Sequence, residues 1–163
     1  MKYYLTLLLL TLVFIGNKIH AQDSSFQKKN NVIKGSISSM GIINGMYSID
    51  YERSLISSQN FVINLEVSYG KYYQNTGGVF SSFPGFNSFT SSINGLFGKK
   101  SHLFELDLGI RYSIINDKYK ENISPFLPVF NIGYRYQNPI GKGLVFRTFV
   151  GFTGVGISIG KAF

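Results

Sequence analysis

Leu103–Ile115 reads LFELDLGIRYSII. Phe104, Leu106, Leu108, Ile110, Tyr112 and Ile114 occupy alternate positions, and Glu105, Asp107, Gly109, Arg111 and Ser113 stand between them. A period of two places all the bulky apolar groups on one face of a strand and all the charges on the other, whereas a helix would scatter both sets around its axis. The stretch is therefore a strand with an apolar face and a charged face.

The same rhythm recurs on both sides. Phe61, Ile63, Leu65, Val67 and Tyr69 alternate with Asn64, Glu66, Ser68 and Gly70, and Tyr47, Ile49 and Tyr51 with Ser48, Asp50 and Glu52. Later, Phe130, Ile132, Tyr134 and Tyr136 alternate with Asn131, Gly133, Arg135 and Gln137, and Val155, Ile157 and Ile159 with Gly156, Ser158, Gly160 and Ala162. Weaker alternation covers Val32–Gly41, Phe89–Gly98 and Gly143–Val150. Eight strands of about nine to twelve residues account for residues 31–163 as one domain. Polar turns at Ser57–Asn60, Lys99–His102 and Gln137–Lys142 lie on one side. The longer connections Asn75–Ser88 and Asn116–Pro125 lie on the other, with brief ones at Gly41–Gly45 and Gly151–Gly154. Short turns at one end and longer loops at the other is the layout of transmembrane β-barrels with an even strand count.

Composition limits the alternatives. The 163 residues contain no cysteine and no tryptophan, which excludes a disulfide framework and cysteine-ligated metal. Charged residues make up 15%, below the usual quarter, and aromatics 16%. Residues 1–21, with Lys2 followed by the apolar run Leu5–Ile15 and ending at Ala21, read as a signal peptide, since that run is too short to span a bilayer as a helix. Residues 22–30 then form an N-terminal periplasmic tail and residues 31–163 the barrel.

The polar face decides which way the barrel is turned. It is rich in Gly, Ser and Asn and carries Lys34, Asp50, Glu52, Glu66, Glu105, Asp107, Arg111, Arg135 and Arg147, a nearly neutral set. An eight-stranded barrel has an interior just wide enough to be filled by side chains. Small residues and paired charges fit it; Phe and Tyr at every second position overfill it. The charges are thus expected as a lumen ion network, with the apolar face outside. Lys28, Lys29, Arg53, Lys99, Lys100, Lys142 and Lys161 fall at the short-turn end, where anionic headgroups would meet them. Tyr69, Tyr72, Tyr112, Tyr134 and Tyr136, near strand ends, suit interfacial girdles.

The chain ends on GISIGKAF, with Ile157 and Ile159 alternating ahead of Phe163. Together with YSIDYERSL at Tyr47–Leu55 and PVFNIGYRYQ at Pro128–Gln137, this resembles the small outer-membrane β-barrel proteins of Bacteroidota, of OmpA/OmpX-type eight-stranded architecture. The resemblance covers nearly all of residues 31–163. It implies residence in the outer membrane of a Gram-negative bacterium among lipids and lipopolysaccharide. It also implies delivery by periplasmic chaperones and insertion by barrel-assembly machinery that reads Ile157, Ile159 and Phe163. Lys161, where an aromatic is more usual, departs from the pattern.

Catalytic chemistry is sparse. Gly156-Ile157-Ser158-Ile159-Gly160 matches a hydrolase nucleophile elbow, but that motif needs a strand, a sharp turn and a helix with a later histidine, and none follows. Gly98-Lys99-Lys100-Ser101 lacks the spacing of a phosphate loop and reads as a turn. His102 is the one histidine after residue 21, too few for a metal site. Glu105 and Asp107 share a face as an acid/base pair would, yet arginines are at hand to pair with them. The loop NTGGVFSSFPGFNSF, Asn75–Phe89, offers a contact patch in Phe80, Phe83 and Phe86. Net charge is +8 without a basic stripe, so no nucleic-acid partner is expected. The expectation is a monomeric, porin-like but occluded, non-enzymatic barrel without cofactor, acting in envelope structure or surface interaction. The alternatives are a lipid-modifying barrel enzyme or a soluble periplasmic lipid-binding barrel.

Overall fold

Each alternating segment forms a strand in the structure, a computed structural model that describes residues 31–40, 44–58, 60–74, 85–98, 100–115, 124–138 and 142–163. The strands are β1 (Asn31–Met40), β2 (Asn44–Ser57), β3 (Phe61–Gln74), β4 (Phe86–Phe97), β5 (His102–Ile114), β6 (Phe126–Gln137), β7 (Gly143–Gly151) and β8 (Gly154–Ala162). Each pairs antiparallel with its sequence neighbours, and β8 pairs with β1, closing an eight-stranded up-and-down barrel. The expected signal peptide and tail lie outside the described residues.

Three strands differ most from the sequence reading. β2 and β3 run to 14 residues. β4 begins at Phe86 rather than Phe89, because at the rim the polarity reverses: Phe86 points inward and is buried while Asn87 points outward. Tyr72, paired with Phe86, likewise faces the lumen side and is half-buried, so it is not a girdle residue. At the other end of the set, Gly154 adopts φ 94°, a conformation that favours glycine, and closes the tight Phe152–Thr153 turn.

The pairings set the barrel's width. In one direction the row through Lys34 runs to Asp50, Ser68, Thr90, Arg111 and Leu127; in the other it runs to Gly160, Val145 and Gln137. The row therefore meets β6 at Leu127 and again at Gln137, a shear of ten residues. With strands about 4.8 Å apart and about 3.3 Å per residue, that shear tilts the strands by about 41° and gives a backbone radius of about 8 Å.

Inside and outside are inverted relative to a water-soluble domain. Among the described residues, thirty large apolar side chains are exposed and eleven apolar ones are buried. The exposed rings form two bands. Phe61, Phe97, Phe104 and Tyr134 are consecutive cross-strand partners near the short turns, and Tyr69, Phe89, Tyr112 and Phe126 are consecutive partners near the opposite end. Tyr69 and Phe89 stack at 4.9 Å and Tyr112 and Phe126 at 5.1 Å between centroids. On each of the four strands the two bands are eight residues apart, which at this tilt is about 20 Å along the barrel axis. Val67, Ile93, Leu108, Ile110 and Ile132 fill the interval.

The narrow radius also demands small residues inside. A Cβ on Gly109 would lie 2.4 Å from both the Ser91 carbonyl oxygen and the Ser92 Cβ. Outward-facing Gly35 has nothing within 4 Å of such a Cβ. Gly109→Val is therefore expected to destabilise the barrel by about 1–3 kcal/mol through overpacking. Gly35→Val should stay within about 0.5 kcal/mol. Urea midpoints of the folded, fast-migrating gel band measure both.

Candidate functional site

The lumen is filled in three levels, each legible in the inward-facing positions. The floor, next to the short turns, is apolar: Val32 packs with Val145 and Ala162, and Val62 with Leu96 and Leu103, none more than 6% exposed. One inward position further along, β1 offers Lys34, β5 Glu105, β7 Arg147, and β3 and β4 the amides Asn64 and Asn94. The ion layer therefore rests directly on an apolar plug.

All nine charged residues singled out from the sequence point into the lumen and are buried. Lys34 Nζ donates to Glu52 Oε2 at 2.9 Å and to Glu66 Oε2 at 2.6 Å. Arg135 Nη1 donates to Glu52 at 2.9 Å and lies 3.9 Å from Glu105. Arg147 is the hub. Its Nε lies 2.7 Å from Glu105 Oε1, its Nη2 3.1 Å from Asp107 Oδ2 and its Nη1 3.6 Å from Glu66 Oε1, while its guanidinium carbon sits 4.6 Å from the centroid of the Phe149 ring. One planar, multi-donor cation thus engages carboxylates from β3 and β5 together. Arg111 stands apart towards the mouth, its Nε 3.5 Å from Thr90 Oγ1.

Amides and hydroxyls complete the layer, and the sequence reading passed over them. Asn64 donates to Glu52 at 2.6 Å, Asn131 to Asp107 at 3.1 Å, and Asn94 to Glu105. Ser48 donates to Asp50 at 2.7 Å; Ser36 donates to Asp50 and shares a 2.7 Å hydrogen bond with Ser158. The signal was available: each of these residues sits at an inward position of an alternating strand, two residues from a charge or across from one in the register. Buried carboxylates keep their charge only when such donors fill the remaining lone pairs.

Above the ions lies a polar cavity of about 40 Å³, lined among others by Ser38, Ser68, Thr90, Arg111, Asn131 and Thr153. At about 10–15 Å³ per water centre it has room for a few waters and no larger solute. Met46, Tyr72 and Phe86 are inward neighbours at the mouth on β2, β3 and β4. Phe86 is therefore a lumen-side residue rather than part of a loop patch; Phe80 and Phe83 lie outside the described residues.

Among the described residues the interior side chains are engaged with one another. Glu105 and Asp107 are each held on Arg147, and Ser158 is buried against Ser36 with no histidine beside it. His102 lies on the outer surface by the short turns, its Nδ1 2.5 Å from the Tyr134 hydroxyl, across the barrel wall from every lumen carboxylate. The described interior holds charge where a soluble lipid carrier would need an apolar cavity. Ile157, Ile159 and Phe163 are outward and exposed, and Phe163 exchanges backbone hydrogen bonds of 3.1 and 2.9 Å with Asn31.

No family model matches this chain, and no curated protein matches it. Among solved structures the chain is similar to one described as the crystal structure of the outer membrane enzyme PagL, at 13% identity and a TM-score of 0.45, over 80% of this chain and 95% of that one.

Removing the hub leaves three buried carboxylates short of a cation. Arg147→Ala is expected to destabilise the folded barrel by about 3–5 kcal/mol, whereas Lys142→Ala, exposed in a turn, should change it by no more than about 0.5 kcal/mol. Equilibrium unfolding in urea, read by circular dichroism, distinguishes the two.

Proposed function

We propose that this chain is an integral barrel of a Gram-negative outer membrane that catalyses no reaction and conducts no solute, and that it serves envelope structure or surface contact through its long-loop end. The observation that carries the reading is the outer surface. On β3–β6 a mainly aliphatic exposed interval is bounded by two aromatic bands about 20 Å apart, close to the roughly 25 Å apolar band with flanking girdles of outer-membrane barrels. In water such a belt would be a large aggregation surface; in hydrocarbon it is the required solvent match.

The interior supports the rest of the reading. The apolar floor and the ion layer leave only a small cavity, so the lumen is occluded. The two lumen carboxylates spaced as an acid/base pair are both committed to Arg147, so neither is poised to move a proton. Arg53, Lys100, Lys142 and Lys161 are exposed at the short-turn end, which fits the leaflet of anionic phospholipid facing the periplasm. Lys28, Lys29 and Lys99 lie outside the described residues.

The reading is tested in purified outer membranes and planar bilayers. The protein is expected to resist extraction by salt or carbonate, to migrate faster on gels before boiling than after, and to give no conductance steps. Deleting it should leave the lipid A mass spectrum unchanged. A changed lipid A spectrum would replace the non-enzymatic reading with that of a lipid-modifying barrel, and discrete conductance steps would overturn occlusion.

A further inference from the structure

The lumen carries one negative charge in excess. Among the described residues five buried carboxylates, on Asp50, Glu52, Glu66, Glu105 and Asp107, face four buried bases, Lys34, Arg111, Arg135 and Arg147. Lys34, Arg135 and Arg147 are engaged with Glu52, Glu66, Glu105 and Asp107, and none of these ion pairs reaches Asp50. Lys34 is the direct cross-strand partner of Asp50, yet its ammonium turns to Glu52 and Glu66. Asp50 is 2% exposed, and its oxygens receive hydroxyls alone among the described residues: Ser48 donates to Oδ1 at 2.7 Å and Ser36 to Oδ2. A buried carboxylate without a cation carries a heavy desolvation cost.

The cavity above the ions is where that charge can be met. Asp50 lines it together with Ser36, Ser48, Ser68 and Thr90, and Asp107 lines it as well. Asp107 gives Oδ2 to Arg147 and Asn131, but its Oδ1 is buried with no hydrogen-bond donor among the described residues. A serine that donates its proton to a carboxylate keeps its lone pairs for another partner. The walls therefore present carboxylate and hydroxyl oxygens, the donors that a hard cation takes. A bare alkali cation is about the size of a water molecule, so the cavity of about 40 Å³ has room for one and some of its water.

We propose that the lumen binds one alkali cation, sodium or potassium, in this cavity, with Asp50 as its carboxylate ligand and Asp107 Oδ1 as the second anionic oxygen within the same walls. One positive charge completes the balance of the interior. A divalent ion would overshoot it, and among the described residues no three His, Asp or Glu side chains come together to hold one. Arg111 also lines the cavity, but it is already among the four bases, so the excess remains after it and an anion is disfavoured. A proton on Asp50 would cancel the charge too, yet it would leave the Asp107 oxygen unserved. The inference concerns the inside of the barrel and does not depend on the solvent outside it.

The test uses the full chain folded in zwitterionic micelles, with choline chloride exchanged for sodium chloride or potassium chloride at constant total chloride, so that screening stays fixed. The urea midpoint, read by circular dichroism, should rise with at least one of the two alkali cations. Above the dissociation constant, the unfolding constant at fixed urea should fall about tenfold for each tenfold of cation, as a single site present only in the folded barrel requires. Asp50→Asn keeps the shape and removes the excess charge. It should lose the cation dependence and, in choline alone, unfold at a higher urea midpoint than the parent. Should Asp50→Asn fail to fold, sodium and potassium NMR of the unmodified chain decides: saturable broadening of at least one resonance over protein-free micelles supports the site, and broadening of neither overturns it. Equal midpoints in sodium, potassium and choline would overturn the cation site. A midpoint blind to both alkali cations that climbs as pH falls from neutrality would overturn it in favour of a proton. A cation dependence that persists in Asp50→Asn would overturn its placement on Asp50.

Discussion

The structure depends on a phase constraint: between the rims, the buried charges of β1, β2, β3, β5, β6 and β7 all take the inward parity and the exposed hydrocarbon takes the other. A slip of one residue in any pairing would turn a strand's lumen charges towards the outside. In a bilayer each charge moved to mid-depth costs about 2.5–3.5 kcal/mol. Lys34, Glu52, Glu66, Glu105, Asp107, Arg135 and Arg147 come from β1, β2, β3, β5, β6 and β7, so the ion layer ties the registers of six strands to one another. Arg147 matters most because its three nitrogens serve three carboxylates. The network's value lies in that mutual alignment, since buried ion pairs as such add little to stability.

Closure with a shear of ten gives a tube about 8 Å in backbone radius, and the remaining features follow from that width. Only small or paired residues fit inside, which accounts for the inward glycines and serines and for the apolar floor under the ions. Among the described residues the lumen keeps only the small cavity above the ions. That filling turns attention to the rims and the outer wall, where Gly35 and Ser91 are among the residues that break the apolar belt.

The fold and the parity of the ion network were legible in the sequence because both are period-two properties, readable residue by residue in stretches such as Leu103–Ile115. Rim positions were not. Phe86 and Tyr72 are aromatic yet point inward, since at the mouth a ring can cover the lumen instead of meeting an outer interface. Nor could alternation tell which donor meets which carboxylate: Asn64 on Glu52 and Asn131 on Asp107 depend on register between strands, which no single strand encodes. The bare stretch of outer wall at Gly35 was hidden for a related reason. Gly35 and Gly95 read alike in sequence, and only the placement of the Phe97 ring separates them.

The central claim is that the banded outer surface faces hydrocarbon. It is tested most directly by nitroxide labels placed one at a time, through single cysteines, at the outward β5 positions Phe104, Leu106, Leu108, Ile110 and Tyr112 in reconstituted bilayers. The account predicts that collisions with oxygen, relative to a water-soluble nickel chelate, peak near Leu108 and fall towards both aromatic bands. A flat profile with the chelate reaching every position would contradict it.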